Sequence, residues 1–192
     1  FLGYYAIITD LVTLVFGEGL ELARSVVFII TYNYFIQFMR NAVILFRDAT
    51  GTFYFDRWKS LIEGIVNLLM SILFVLIFPD EYKVVGVIAA TILTNLFISH
   101  IVEPFVLFRH GLKRPLSEYY VRNYIWIGVF GGLLVCLEHI MIKLPEHRFG
   151  QLIINGLIAV GIALVVCILV IVIDKDFRYY TVSLIKRRFR RS

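Results

Sequence analysis

Apolar residues occupy six long stretches of the chain, and short polar or charged segments separate one stretch from the next. Each stretch is about twenty residues long, the length that a helix needs to cross roughly 30 Å of hydrocarbon. We predict membrane-spanning helices at residues 1–16, 24–46, 61–78, 84–108, 124–144 and 151–173. An outer-membrane barrel would instead show segments of about ten residues with alternating polarity. The pattern predicts an all-α, polytopic transmembrane helix bundle over residues 1–173, followed by a basic tail at 174–192.

The composition agrees with a membrane protein and offers little for catalysis or metal binding. Hydrophobic residues make up 60% of the 192 and charged residues 17%, whereas a soluble domain is about half apolar and a quarter charged. Cys136 and Cys167 lie inside apolar stretches, so we expect neither a disulfide bond nor a metal site. The sequence has no zinc-ligand spacing, no phosphate-binding glycine loop and no Ser–His–Asp arrangement. We therefore predict no cofactor and no enzymatic activity.

Lysine and arginine are distributed unequally between the two sides of the predicted bundle. The loops at 47–60 and 109–123 and the tail at 174–192 carry fourteen of the 19, and the opposite side carries four. The positive-inside rule places the side with more positive charge, including the C-terminus, in the cytoplasm. We interpret the net charge of +5 as a consequence of topology and contact with anionic lipid, not as a nucleic-acid site. The tail has apolar residues at helical spacing, which fits a helix in the membrane interface as well as a solvated basic segment.

Three predicted spans bring a charged residue to a similar depth near the basic side. These residues are Arg40, Glu63 and Glu103, and ionisable groups in a bilayer usually face a bundle interior or a wet cavity. Each belongs to a set of polar residues spaced about four apart, which places every set on one helix face. The sets are Asn33, Gln37, Arg40 and Asn41 on the second span, Glu63, Asn67 and Ser71 on the third, and Thr91, Asn95, Ser99 and Glu103 on the fourth.

Two interpretations of these polar faces remain open. In one, they hold the helices together through hydrogen bonds and a buried Arg–Glu pair. In the other, they line a hydrated cavity for a polar or anionic substrate. We favour packing for Asn67, Ser71, Thr91 and Ser99, and the cavity for the three charged residues, because charge is an expensive way to join helices. The candidate cavity residues are Arg40, Glu63, Glu103, Asn33, Gln37, Asn41, Asn67 and Asn95.

The stretch 46–60, FRDATGTFYFDRWKS, carries a family resemblance together with the helix after it and the segment 102–113, VEPFVLFRHGLK. These segments resemble the bacterial polysaccharide transporters, which belong to the same superfamily as the MATE multidrug exporters and the lipid II flippase. The resemblance covers residues 46–113, and elsewhere only the hydropathy is similar. Ser60 departs from the pattern, because a proline is expected there at the start of the next helix.

The resemblance implies a flippase of the bacterial inner membrane that moves polyprenyl-diphosphate-linked oligosaccharides for capsule, O-antigen or exopolysaccharide synthesis by alternating access. It implies about 12 to 14 helices in two lobes. The six predicted spans would form the C-terminal lobe, with the N-terminal lobe, membrane lipids and glycan polymerase machinery as partners. Arg40 would contact the anionic diphosphate, and Glu63 or Glu103 would neutralise Arg40 in the empty state or carry a coupling ion.

The polar loop between the second and third spans is expected to be a structured cytoplasmic hinge at the mouth of this cavity, not a substrate site. Its candidate residues are Arg47, Asp48, Asp56 and Arg57, with the aspartates pairing with the arginines to fix the helix ends. The positive charges of the loop, Arg47, Arg57 and Lys59, also serve the membrane topology. The alternatives are a MATE-type drug/cation antiporter, a membrane enzyme of glycan assembly and a scaffold that transports nothing.

Overall fold

The computed structural model describes residues 1–17, 23–113, 115–141 and 148–173, with residues 179 and 183. The helices are α1 (Leu2–Phe16), α2 (Arg24–Ala49), α3 (Lys59–Ile77), α4 (Lys83–Thr94), α5 (His100–Val106), α6 (Ser117–Ile140) and α7 (Arg148–Ile173). A π-helical segment, Asn95–Ser99, joins α4 to α5, and a second one, Leu107–Leu112, extends α5. The fold is therefore six helical rods, and the described residues include no strand. This confirms the predicted all-α bundle.

Four described helical stretches are long and apolar enough to cross a membrane: Lys59–Ile77, Asp80–Leu112, Ser117–Ile140 and Phe149–Val172. The other two rods differ from these in length or in charge. Helix α1 has only 15 residues, which is about 22 Å of helix. Helix α2 has 26 residues but carries Arg24, Arg40, Arg47 and Asp48. The chain thus has the architecture of a membrane-type helical bundle.

Several predicted boundaries are wrong by a few residues. Helix α6 begins at Ser117, seven residues before the predicted start at Tyr124, and it ends at Ile140. Helix α2 continues past Phe46 to Ala49, and the rod that contains α5 continues past Phe108 to Leu112. Helix α3 starts at Lys59 and α7 at Arg148, two and three residues earlier than predicted. Hydropathy detects the apolar segment, whereas helical hydrogen bonds continue through polar turns at its ends.

Two expectations fall wholly or partly on residues that the structure does not describe. Residues 142–144, at the end of the predicted fifth span, lie outside the described residues. So does the tail at 174–192, apart from Tyr179 and Ser183. The interfacial helix therefore stays a prediction.

Helix α2 lies at the centre of the bundle, where it packs against α1, α4, α5 and α6. Helix α3 packs on α4 at one edge, and α7 packs on α1 at the other. One apolar core joins α1, α2, α6 and α7 around Tyr5, Val27 and Leu134, and a smaller one joins α2, α4 and α6 around Ile36 and Ile127. The outer face of α3 exposes leucine and isoleucine, as expected for a helix in contact with lipid.

Candidate functional site

Six charged side chains meet at the end of the bundle where α2 ends and α3 begins. We call this the basic end, and we call the group the charge cluster. Its members are Arg40 and Arg47 of α2, Asp56 of the loop, Lys59 and Glu63 of α3, and Glu103 of α5. Three cations balance three carboxylates, so the cluster is formally neutral. Such balance is needed at this depth, because an unpaired buried charge costs several kcal/mol.

Arg40 is fixed by contacts on every side of its guanidinium group. Its Nε and one terminal nitrogen donate to the two carboxylate oxygens of Glu103 at 2.9 and 2.7 Å. The other terminal nitrogen donates to Asn95 Oδ1 at 2.8 Å and lies 3.6 Å from Glu63 Oε1. This is the bidentate geometry in which an arginine and a carboxylate interact most strongly. In this conformation Glu103 and Asn95 occupy the fork that a diphosphate would need.

Glu103 is the centre of the cluster. It is 1% exposed, and one of its oxygens, Oε1, lies 2.7 Å from Arg40, 2.6 Å from Lys59 Nζ and 3.6 Å from Arg47. Lys59 also contacts Glu63 at 2.6 Å, one turn along α3. The carboxylate of Glu103 therefore links α2, α3 and α5 through ionic contacts. Pro104 directly after Glu103 lacks a backbone N–H, and both π-helical segments flank this short helix.

The loop between α2 and α3 is folded back onto the bundle and supplies part of the cluster. Gly51 adopts a left-handed conformation with φ of 67°, and the following 3₁₀ helix, Thr52–Asp56, places the Asp56 carboxylate 2.8 Å from Arg47. Arg47 also pairs with the exposed Asp48 at 3.2 Å. The predicted pairing of aspartates with arginines therefore holds for Arg47. The third carboxylate near Arg47, that of Glu103 at 3.6 Å, was not predicted.

Other residues of the loop make aromatic contacts and stand outside the cluster. The guanidinium carbon of Arg57 lies 4.6 Å from the ring centre of Tyr54 and 5.9 Å from that of Trp58. Phe55 stacks on His110 with ring centres 4.1 Å apart. Arg57 was predicted as a partner of an aspartate, and its contacts are instead cation–π interactions, worth about 1 kcal/mol at exposed sites.

The structure brings together four of the eight predicted cavity residues: Arg40, Glu63, Glu103 and Asn95. Asn67 instead accepts hydrogen bonds from Ser71 at 3.2 Å and Thr91 at 3.4 Å, which supports the packing interpretation for these residues.

The remaining three predicted cavity residues lie on α2. Asn33 and Gln37 are half-buried two turns and one turn from Arg40, respectively, and Asn33 Oδ1 is buried without a hydrogen-bond partner. Asn41 is exposed and faces away from the cluster, towards α6.

Sequence reasoning missed Lys59 as a member of the site, and it predicted Arg47 only as a partner of the loop aspartates, not of Glu103. Both had been assigned to membrane topology because they belong to a basic loop. Lys59 is 6% exposed, and its Nζ lies 2.6 Å from a carboxylate oxygen of Glu63 and 2.6 Å from one of Glu103. The spacing of Lys59 and Glu63, four residues apart at the start of a helix, was the available signal.

Polar groups elsewhere in the bundle form smaller contacts. His100 is fully buried and bridges Ile36 O and Asn123, both at 3.0 Å, so it joins three helices as a packing group. At the end opposite the basic end, Gln151 donates to Asp10 at 2.9 Å. Within the described residues, His, Cys, Asp and Glu form no group of three that could hold a metal ion.

Two adjoining cavities lie between α2 and α6, on the other side of α2 from the charge cluster. One, of about 500 Å³, extends to α7 and is lined by apolar side chains and Cys167. The other, of about 470 Å³, includes the polar residues Asn41, Tyr119, Arg122 and Asn123. No member of the charge cluster lines either cavity.

Comparison with known proteins leaves the family open. No family model, no curated protein and no solved structure matches this chain.

Proposed function

We propose that this chain forms part of a bacterial flippase that translocates polyprenyl-diphosphate-linked oligosaccharides across the inner membrane. In this proposal the basic end faces the cytoplasm, and the bundle is one lobe of a transporter that works by alternating access. The sequence resemblance over residues 46–113 suggests the substrate class. The proposal needs, in addition, a cationic group inside the bundle that can meet an anionic substrate.

The convergence of the resembling segments on one site is the observation that carries the proposal. Arg47 of FRDATG and Asp56 and Lys59 of DRWK come from one stretch, and Glu103 of the Glu-Pro segment lies 44 residues after Lys59, yet all four belong to the charge cluster. Basic residues that served only to orient the chain in the membrane would not need to contact a buried carboxylate. The shared site supports a common function for these segments.

Arg40 is the proposed contact for the diphosphate, with Glu103 as its partner in the empty state. A guanidinium group binds phosphate and carboxylate through the same bidentate geometry, so the substrate would replace Glu103 on Arg40. Glu103 would not be left unpaired, because Lys59 lies 2.6 Å from it. Arg40 and Glu103 would then each keep a partner of opposite charge during transport.

A complementation assay tests the role of Arg40 in a strain whose own copy of the gene has been deleted. We expect Arg40→Ala to abolish surface glycan while the protein still inserts into the membrane. Arg40→Lys, which keeps the charge but loses the planar fork, should restore a small part of the activity. Arg24→Ala is the matched control, because Arg24 lies on the same helix at the opposite end and should be dispensable. Normal surface glycan with Arg40→Ala would contradict the proposal.

A double substitution separates substrate contact from structural support. Arg40→Met combined with Glu103→Met removes one cation and one carboxylate. Lys59 then keeps Glu63 and Arg47 keeps Asp56 as partners. Replacement of a buried ion pair by apolar residues is often neutral for stability. We expect the double variant to accumulate as a folded protein and yet to transport nothing; normal transport would show that the pair only supports the bundle.

A further inference from the structure

The two cavities between α2 and α6 form one continuous groove, because Phe38, Met39 and Trp126 line both of them. We call this the α2–α6 groove. Its two parts have volumes of about 500 and 470 Å³, which lie within the usual range for sites that hold a small molecule. The groove has different chemistry at its two ends, and this difference indicates the kind of ligand that it fits.

The apolar part of the groove suits a hydrocarbon chain. Side chains such as Phe35, Leu133 and Val166 line it, and the cleft is only partly enclosed. Helices α2, α6 and α7 line it, and both α6 and α7 are long and apolar enough to span a membrane. The lining of this cleft offers water no polar group to bind. Because the cleft lies at the depth of the hydrocarbon region, a lipid chain is its natural occupant.

The other part of the groove suits an anionic head group. Arg122 and Asn41 are exposed there, and Tyr119 and Asn123 lie beside them. Arginine pairs with phosphate through its planar fork, and basic pockets between transmembrane helices are typical sites for anionic lipid head groups. One molecule with a phosphate at one end and an acyl chain at the other would match both parts.

We propose that the α2–α6 groove binds an anionic phospholipid, with one acyl chain in the apolar cleft and the phosphate at Arg122. The ligand is distinct from the lipid-linked substrate considered above. Successive residues of an α-helix are about 100° apart, so Phe38 and Ala42, each two residues from Arg40, point about 200° away from it. A lipid whose head group contacts Arg40 would lie on the other side of α2. The phospholipid proposal therefore stands apart from the flippase proposal.

Fluorescence quenching by brominated lipid tests the proposal on the full chain in phosphatidylcholine vesicles. The chain has two tryptophans, and Trp58→Phe leaves Trp126, which lines both parts of the groove, as the only one. Bromine on an acyl chain quenches a tryptophan that it contacts. We expect brominated phosphatidylglycerol to quench Trp126 at about one fifth of the mole fraction that brominated phosphatidylcholine requires, the effect of one basic side chain on an anionic lipid.

Two variants in the groove and one control make the outcome specific. Arg122→Gln should reduce the preference for phosphatidylglycerol to that for phosphatidylcholine, and Asn41→Asp, which adds a negative charge at the same place, should do the same. Arg109→Gln is the control, because Arg109 is an exposed basic residue of the same end that lies over Phe105. It should leave the preference unchanged.

Three results would overturn the proposal. These are equal quenching by the two brominated lipids, a preference that survives both groove variants, and an equal loss with Arg109→Gln, which would mean general attraction to a basic surface. All three variants alter exposed side chains, and circular dichroism in the vesicles confirms that each remains helical. Surface glycan synthesis is not part of the readout, so the result is independent of the proposed transport.

Discussion

Glu103 and Glu138 are both carboxylates inside the bundle, and their surroundings differ sharply. Glu103 lies at the basic end, is 1% exposed and has Arg40, Arg47 and Lys59 as cationic partners. Glu138 lies at the opposite end with its side chain 33% exposed, and Arg24 is 3.9 Å away. Its shortest contact is a hydrogen bond of 2.5 Å from the hydroxyl of Tyr5. One carboxylate is the centre of a network, and the other belongs to a loose pair.

The difference shows how burial decides what an ion pair does for a membrane bundle. A carboxylate with access to water keeps part of its hydration, and its pairing contributes about 0–1 kcal/mol. A fully buried carboxylate has lost that hydration and depends on its partners, so removal of either side leaves an uncompensated charge. The basic end should therefore be the part of the bundle where single charge changes do most damage.

The largest expected effect follows from Glu103→Gln. This change keeps the shape of the side chain but leaves three cations around a neutral amide. Breaking a buried ion pair on one side typically costs about 3–5 kcal/mol. We expect a loss of that size, measured as the free energy of unfolding by titration with dodecyl sulfate in mixed micelles.

The double variant Arg40→Met with Glu103→Met is the control for that measurement, because the remaining cations keep carboxylate partners. It should recover much of the lost stability. If Glu103→Gln cost less than 1 kcal/mol, the cluster would be solvated like a surface pair and the contrast with Glu138 would fail.

Much of the fold and part of the candidate site were predictable from the sequence. The lengths of the apolar segments alone predict the six helices. The positions of Arg40, Glu63 and Glu103 along their helices predict that they lie at a similar depth. Partners within a site were harder to predict. Lys59 and Arg47 look like ordinary basic residues of a polar loop. Only the three-dimensional path of the loop brings Lys59 back to the end of α2, where Glu103 lies within 3.6 Å of both Lys59 and Arg47.

The direction in which a side chain points was the other limit. Spacing placed Asn41 on the same face of α2 as Arg40, but adjacent helical residues are about 100° apart. Asn41 consequently lines the groove towards α6. A set of four polar residues at mixed spacing covers a wide arc, and the sequence does not say which part of the arc meets which neighbouring helix. The packing of α4, α5 and α6 against α2 decides it.

Gly51→Ala tests whether the loop holds Asp56 and Lys59 in the cluster. The φ of 67° at Gly51 costs a residue with a Cβ about 1–2 kcal/mol. We expect unfolding to become easier by about that amount, less than for Glu103→Gln. Gly64→Ala is the matched control, because Gly64 lies in α3 and a Cβ there would meet no atom within 4 Å. Alanine favours a helix over glycine, so this change should be neutral or slightly stabilising. Equal losses from both substitutions would show that the turn does not matter.

The smallest effect is expected from Glu138→Gln, and it completes the comparison of the two carboxylates. Tyr5 can still donate its hydroxyl hydrogen to the amide oxygen that replaces the carboxylate, so the hydrogen bond survives. Arg24 has about a quarter of its side chain exposed and loses only a partner at 3.9 Å, which water replaces. The same titration should therefore show a change below about 1 kcal/mol, several times less than for Glu103→Gln. A loss as large as that of Glu103→Gln would mean that the Arg24 pair is as deeply coupled to the fold as the charge cluster, and that exposure is a poor guide to the strength of ion pairs in this bundle.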